Sequence, residues 1–305
     1  MRIVHSSARV RVPATSGNLG PGFDSMGMAH NLWDDVSVRI TGSLADGRED
    51  IPSALVHVRG EGADALPTDE SHLIVRALRY ALNFVGAEQP RIELTCENGI
   101  LQGRGLGSSA AATVAGLLLA RELIEDPQAL DSFVVLQLAT EFEGHPDNAA
   151  PAIFGGAVVA WIDDDGAQSV PISVHENIRT TLLIPDTELL TEKARSVLPA
   201  QVPHKDAAFN ASRTALLVLA LEHHPEYLLR ATEEKLHQGY RAESMRASAD
   251  AMAELREAGW PTVVSGAGPS LLVFAELDEP TRERMEAAGF LVVTGSSAPG
   301  AYAVK

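Results

Sequence analysis

The chemistry of this chain is concentrated first in residues 103–112, Gly103-Arg104-Gly105-Leu106-Gly107-Ser108-Ser109-Ala110-Ala111-Ala112. Glycine lets the backbone turn sharply and lets an anion approach bare N–H groups. The two hydroxyls and three alanines that follow read as the start of a helix, whose free N–H donors and positive dipole end would face the same anion. The stretch is a candidate phosphate cradle. A Walker A loop would need a lysine beside Ser108 or Ser109, and none stands there. Gly105-Leu106-Gly107-Ser108-Ser109-Ala110 also fits the dinucleotide fingerprint G-x-G-x-x-A. That fingerprint should follow a strand directly and precede a second strand ending in an acid. Here a loop follows the strand at 91–97, and the chain beyond reads as helix as far as Glu143.

Three further stretches carry polar side chains at a density a plain connection does not need. Residues 13–24 hold two prolines and three glycines yet include Thr15, Ser16, Asn18 and Asp24. Ordered loops of this kind are often functional. Residues 145–151 form a polar knot, His145-Pro146-Asp147-Asn148-Ala149-Ala150-Pro151, between two prolines. Residues 265–270, with Gly266 and Gly268, make a second glycine-rich loop between apolar strands. A nucleoside triphosphate on the cradle would need a divalent ion, which prefers a few hard oxygen ligands. Ser109 or Ser108 with Glu143 or Glu141 would supply them. Asp24 and Asn18 could hold an ammonium group and a hydroxyl, and the planar forks of Arg195 and Arg241 suit a carboxylate. Two other groups of acids and histidines fit no such set. Asp163-Asp164-Asp165-Gly166 lacks calcium-loop spacing, and His223-His224 has no partner spaced for a metal.

Composition narrows the class. The 305 residues are 45% hydrophobic, enough for a sizeable core and two domains. A net charge of −17 argues against a nucleic-acid binder, and it obliges any anionic ligand to be held by local N–H groups, a metal or a few placed arginines. Cys96 is the one cysteine, so neither a disulfide framework nor a cysteine zinc site is expected. No apolar run reaches membrane-span length, and the first residues lack a signal-peptide core, so a cytoplasmic protein without membrane contact is the plain expectation.

These side chains must be positioned by the elements that periodicity predicts. Strands are expected at 2–12, 34–40, 55–58, 91–97, 157–162, 179–185, 262–264, 271–277, 291–294 and 300–304. Residues 43–52 read as a hairpin tip. Ser71 can cap a helix that Gly86 stops. The helix 108–125 is apolar nearly all round and should lie buried. Pro127 can open a second helix, ending near Gly144. Beyond 165 the pattern gives helices at 191–198, 207–222, 227–239, 241–259 and 280–288. Two domains, 1–165 and 166–305, are expected.

In order and spacing, residues 13–24, 103–112 and 265–270 resemble the three signature motifs of the GHMP small-molecule kinases, over essentially the whole chain. Residues 16–24 together with Glu143-Gly144-His145-Pro146-Asp147-Asn148 look like the homoserine kinase branch rather than the mevalonate, galactose or diphosphocytidyl-methylerythritol kinases. The resemblance implies an α+β, two-domain GHMP kinase fold. Its N-terminal domain would be like domain 2 of ribosomal protein S5, and its C-terminal domain ferredoxin-like. It implies phosphorylation of the side-chain hydroxyl of L-homoserine by ATP with Mg2+, a step of threonine biosynthesis, with a homodimer among the arrangements open to it.

The resemblance also implies roles. The Gly103, Arg104, Gly105, Leu106, Gly107, Ser108, Ser109 and Ala110 stretch would bind ATP. Ser109 and Glu143 (or Glu141) would hold the metal. Asn18, Asp24, Thr191, Arg195, Arg241, Gly266 and Gly268 would bind the acceptor, and His145, Asp147, Asn148 and Arg195 would serve catalysis. Many relatives have an aspartate where Asn148 stands. An amide cannot be a general base, so catalysis by positioning and charge stabilisation is expected. Asp147 is expected to turn elsewhere, through strand-like geometry. His72 stands where relatives often have asparagine, near the adenine. Rival readings are a GHMP kinase acting on another alcohol and a non-catalytic binding protein of the same fold.

Overall fold

The computed structural model describes residues 1–48 and 50–304. The first half runs β1 (Ser7–Gly17), β2 (Met26–Ser43), β3 (Ala54–Gly60), α1 (Leu73–Phe84), β4 (Pro90–Asn98), α2 (Ser108–Leu123), α3 (Ser132–Glu143) and α4 (Ala149–Phe154). The hairpin β5 (Ala157–Asp163) and β6 (Gly166–Ile172) completes it. The second half runs β7 (Thr180–Pro185), α5 (Thr191–Ser196), α6 (His204–Glu222), α7 (Leu228–Ala231), α8 (Gln238–Arg241), α9 (Arg246–Glu257), β8 (Thr262–Val264), β9 (Leu271–Val273), α10 (Glu279–Ala287), β10 (Phe290–Gly295) and β11 (Tyr302–Ala303). No helix among the described residues is long and apolar enough to cross a membrane.

Two sheets organise the chain. The larger has the order β11-β1-β2-β4-β3, with the β5–β6 hairpin added through the first residues of β2. The smaller has the order β10-β7-β9-β8, all antiparallel. Counted from β7, its strands follow a β-α-β-β-α-β path with order 4-1-3-2, the split arrangement of a ferredoxin-like layer. Alternation along β7 serves two cores. Leu182 and Ile184 join the main core, while Leu183 joins a smaller one with Leu255 and Met285.

Several elements depart from the periodicity, each for a local reason. β2 is much longer than 34–40, because residues 26–30 are all buried and show no alternation. Residues 43–52 are not a hairpin tip. β2 pairs with β4 and β3 lies beyond β4, parallel to it, so this segment crosses past a strand (residue 49 of it lies outside the described residues). Pro13 is tolerated inside β1 because the register shifts at that point. Pro127 opens only a 3-10 turn; Asp131 then caps α3, accepting from Phe133 N and Val134 N at 2.9 Å each. The helix expected over 227–239 stops after α7. The Glu234 carboxylate takes the N–H groups of Leu236, His237 and Gln238 and starts α8 instead. The strand expected over 271–277 ends at Val273, and that over 300–304 shrinks to β11.

The division expected at 165/166 does not fall where the sheets divide. β6 and β11, from residues beyond 165, both belong to the larger sheet. The halves are also stitched at the loops: Gly266 N donates to Gly17 O at 3.1 Å, and Ser270 N to Arg104 O at 3.1 Å. α2 lies across β1 and against α1. Gly116 makes the second contact possible, since a Cβ there would sit 2.4 Å from Ile74 O. The packing aims the N-terminus of α2 at the place where the polar loops meet.

Candidate active site

Residues 103–110 leave β4 by a loop whose glycines the backbone requires. Gly103, Gly105 and Gly107 have φ of 63°, 73° and 69°. A Cβ on Gly107 would lie 2.0 Å from Thr15 Oγ1, and one on Gly105 would lie 2.3 Å from Ser265 O. Among the described residues, no backbone N–H from 103 to 110 meets a protein acceptor. That run of free donors ends in a helix N-terminus, which is what an anion cradle requires. Thr15 N donates to Leu106 O at 2.9 Å and pins the loop to β1. The Arg104 side chain does not face the cradle. It donates to Pro185 O and Gln102 O at 2.9 and 3.1 Å, and pairs with Glu188.

A cavity of about 680 Å3 runs along this loop and is lined from both halves. Its lining includes Leu66, His72, Leu73 and Asn98. His72 caps α1, its Nδ1 accepting from Ile74 N at 3.3 Å. Beside the cradle, Ser109 Oγ donates to Glu143 Oε1 at 2.6 Å. Burial pushes the Glu143 carboxyl up, against the opposing pull of the Ser109 bond. A carboxylate whose charge is short of compensation, beside a hydroxyl oxygen, is a hard-oxygen pair suited to a divalent cation. Glu141 is spent elsewhere: it accepts the Tyr80 hydroxyl on the outer face of α3.

The acceptor candidates gather around a carboxylate–guanidinium pair. Asp24 and Arg195 face each other bidentately, Arg195 Nη2 to Asp24 Oδ1 at 2.6 Å and Nη1 to Oδ2 at 3.1 Å. Asp24 sits at φ 55° and Asn18 at φ 69°, unusual for residues with side chains. The Asn18 amide holds that conformation, accepting from Asp24 N at 2.9 Å and donating to Gly266 O at 2.8 Å. Arg241 is buried. Its Nε donates to Ala194 O at 3.1 Å and its Nη1 to His237 Nδ1 at 3.0 Å, while Nη2 takes no partner among the described residues. Burial, then the neighbouring Arg195, lowers it to about 10. Phe23 underlies both guanidiniums, at 5.6 and 5.7 Å.

Asp147 does not turn elsewhere, contrary to the expectation from the sequence. It lies in a turn before α4 rather than in a strand, and its buried carboxylate lines the cavity. Two glycines make room for it. A Cβ on Gly17 would lie 2.3 Å from Asp147 Oδ2, and one on Gly27 would lie 1.8 Å from Asp147 O. His145 Nδ1 bonds the same carboxylate. Burial pulls the His145 pKa down, but the Asp147 bond and charge outweigh it and leave the pKa raised. Asn148 Oδ1 accepts from Thr15 Oγ1 at 3.0 Å, which places the amide between β1 and the cradle.

Comparison with known proteins decides what this arrangement belongs to. Residues 72–156 match the family model described as GHMP kinases N terminal domain. The chain is similar to the homoserine kinase of Clavibacter michiganensis subsp. michiganensis, 49% identical over 265 residues, which cover 87% of this chain and 81% of that one. It is similar to the homoserine kinase of Streptomyces coelicolor, 45% identical over 92% of this chain and 88% of the relative. The chain belongs to the homoserine kinase family. A crystal structure of homoserine kinase from Cytophaga hutchinsonii superposes with a TM-score of 0.83 at 25% identity, covering 99% of this chain and 98% of that one. A crystal structure of L. major mevalonate kinase superposes with a TM-score of 0.69 at 14% identity, covering 98% of this chain and 99% of that one, a likeness of fold alone. The chain thus has the two-domain GHMP kinase fold.

Within this homoserine kinase family member, the cavity gathers Asn18, Thr191, Arg195, Arg241, Gly266, His145, Asp147, Asn148, Glu143 and most of the cradle. Asp24 adjoins it through Arg195. Ala110 and Gly268 stand behind it. Ala110 is packed in the core, and a Cβ on Gly268 would strike Met245 rather than the cavity. His237 and Phe23 were not singled out from the sequence. His237 Nε2 donates to Gly20 O at 2.8 Å, which leaves Nδ1 as the acceptor for Arg241. No local pattern marks His237, because its partners lie far away in sequence. Gly27 falls outside every element expected from the sequence, so nothing there marked the close approach of the Asp147 backbone.

Proposed function

We propose that the protein transfers the γ-phosphoryl group of ATP to the side-chain hydroxyl of L-homoserine, giving O-phospho-L-homoserine and ADP. One observation carries this reading: a run of free backbone donors at 103–110 opens on the same cavity as a carboxylate–arginine cluster suited to an amino acid. The cradle N–H groups would hold the triphosphate, with its nucleoside toward Leu66, His72 and Leu73. Ser109 and Glu143 would hold Mg2+, which when bound supplies charge neutralisation at the phosphates.

Arg241, with a free Nη2 in a buried setting, would take the acceptor carboxylate, helped by Arg195 and Thr191. Asp24 and Asp147 would face its ammonium group. In that pose the hydroxyl points at the cradle past Asn148 and Thr15. Neither can remove its proton as a base. The chain's own contribution is then to hold the oxygen in line with the phosphoryl group and to offer donors to charge developing on it.

A coupled ADP-release assay with Mg-ATP tests the reading, comparing L-homoserine with L-threonine, L-serine, mevalonate and galactose. Turnover on homoserine well above the others is expected. ATP binding without turnover on any of them would overturn the acceptor assignment, and absence of ATP binding would overturn the cradle.

A further inference from the structure

His30 lies on β2, is buried, and has no place in the reaction drawn above. Its Nε2 stands 2.7 Å from Ser16 Oγ; Ser16 Oγ stands 2.6 Å from Ser265 Oγ; and Ser265 Oγ donates to Gly105 O at 2.6 Å. Four groups in a row join β2, the first motif, the third motif and the cradle. Ser16 and Ser265 are buried as well, so no bulk water competes with these bonds.

Elementary donor counting fixes the direction of the row. The Gly105 carbonyl can only accept, so the single Ser265 hydroxyl proton is committed to it. Ser265 Oγ must then accept from Ser16, which commits the Ser16 proton in turn. Ser16 Oγ is left to accept, and the proton in the first link must sit on His30 Nε2. His30 Nδ1 finds no partner. The imidazole therefore acts as a source of one donor, and only one of its neutral tautomers completes the row.

The far end of the row matters because a peptide is planar and trans. Holding the Gly105 carbonyl toward Ser265 holds the Leu106 N–H on the opposite edge of the same peptide, and that N–H is one of the free donors of the cradle. Gly105, at φ 73° and without a side chain, cannot hold that plane by itself.

We propose that His30 is a positioning residue for the phosphate cradle, acting through Ser16 and Ser265 on the Gly105–Leu106 peptide. It touches neither nucleotide nor acceptor. The proposal rests on the reading of residues 103–110 as the cradle.

Steady-state kinetics of His30→Leu, His30→Gln, Ser265→Ala and the His30→Leu/Ser265→Ala double variant test it, each checked by thermal unfolding. His30→Leu should lower kcat/KM for ATP by about tenfold, the scale of one buried hydrogen bond lost, and leave the homoserine KM within about twofold. His30→Gln, which can present an amide N–H near the same place, should recover most of the loss. The double variant should be no worse than Ser265→Ala, because both break one row. Ser16→Ala carries the same comparison should His30→Leu fold poorly. A His30→Leu enzyme with wild-type ATP kinetics would overturn the proposal. So would multiplicative losses in the double variant, or a glutamine variant no better than leucine. Wild-type protein that fails to bind Mg-ATP would instead overturn the cradle reading itself.

Discussion

At the scale of single residues, the pairing of Asp24 with Arg195 changes what each can be expected to do. The sequence suggests one for an ammonium group and the other for a carboxylate, each acting alone. In the fold they hold each other bidentately. Asp24→Asn should raise the homoserine KM by roughly an order of magnitude, since a hydrogen bond to a charged group is worth about 1.5–3 kcal/mol. Arg195→Ala should do the same with the ATP KM unchanged, and the double variant should lose much less than the product of the two. Initial-rate kinetics of the three variants check this; independent losses would show that the pair is not a unit. Glu143 and Glu141 separate just as sharply. Glu143→Gln should raise the Mg2+ concentration needed for half-maximal rate at least tenfold, while Glu141→Gln, which only exchanges a carboxylate for an amide acceptor at the Tyr80 bond, should leave it unchanged. His30 gives a pH signature. Burial lowers it from 6.5 to about 4. Between those values the unfolded chain binds a proton that the folded one does not. Its contribution to stability is therefore whole above pH 6.5 and is lost as pH falls through about 4. Urea unfolding across this range should show a shallower acid loss for His30→Gln than for wild type.

At the scale of elements, the placing of the 103–110 loop and of α2 rests on glycines that let backbones approach closely. Gly116 is the point where α1 crosses α2, with Ile74 O, the Ala77 methyl and Leu78 N all within 2.9 Å of a would-be Cβ. Gly116→Ala raises helix propensity yet should destabilise by about 1–3 kcal/mol, because overpacking here pushes on backbone rather than on a side chain that can swing away. Guanidinium unfolding reads the sign directly. These contacts also show which elements were legible beforehand. α2 and the glycine turns before it were, since a run of glycines, hydroxyls and alanines has few conformations open to it. The helix expected over 227–239 was not. Its sequence is helix-compatible, but Glu234 spends its carboxylate on three N–H groups and redirects the chain.

At the scale of the whole molecule, the last residues act as a strap between the halves. Ala298 exchanges bonds with Ala29 and Gly156, Ala301 N donates to Ala152 O at 2.7 Å, and Val304 N donates to Arg9 O at 2.8 Å. With β6 they make the larger sheet a product of both ends of the chain. Removing residues 296–305 should lower Tm by roughly 5 °C or more, taking about 1 kcal/mol for each of the four backbone bonds named here, which are lost together with the β1–β11 ladder. A fragment ending at 165 should fail to unfold cooperatively, because it lacks β6 and β11. Calorimetry of both forms is the check, and a cooperative transition in the fragment would support a division at 165.

By itself the sequence determined the local geometry of the loops. Glycine at positive φ, a hydroxyl pair at a helix start and a proline-bounded polar knot are local requirements that show in local residue types, and so is the α+β succession of elements. Tertiary structure decided the partnerships. Asp24 meets Arg195, Asn148 meets Thr15, His237 orients Arg241 and His30 reaches Gly105 through Ser16 and Ser265. A side chain's type gives the bonds it can make, but among many equivalent donors and acceptors in one chain only packing selects the pair that ends within about 3 Å.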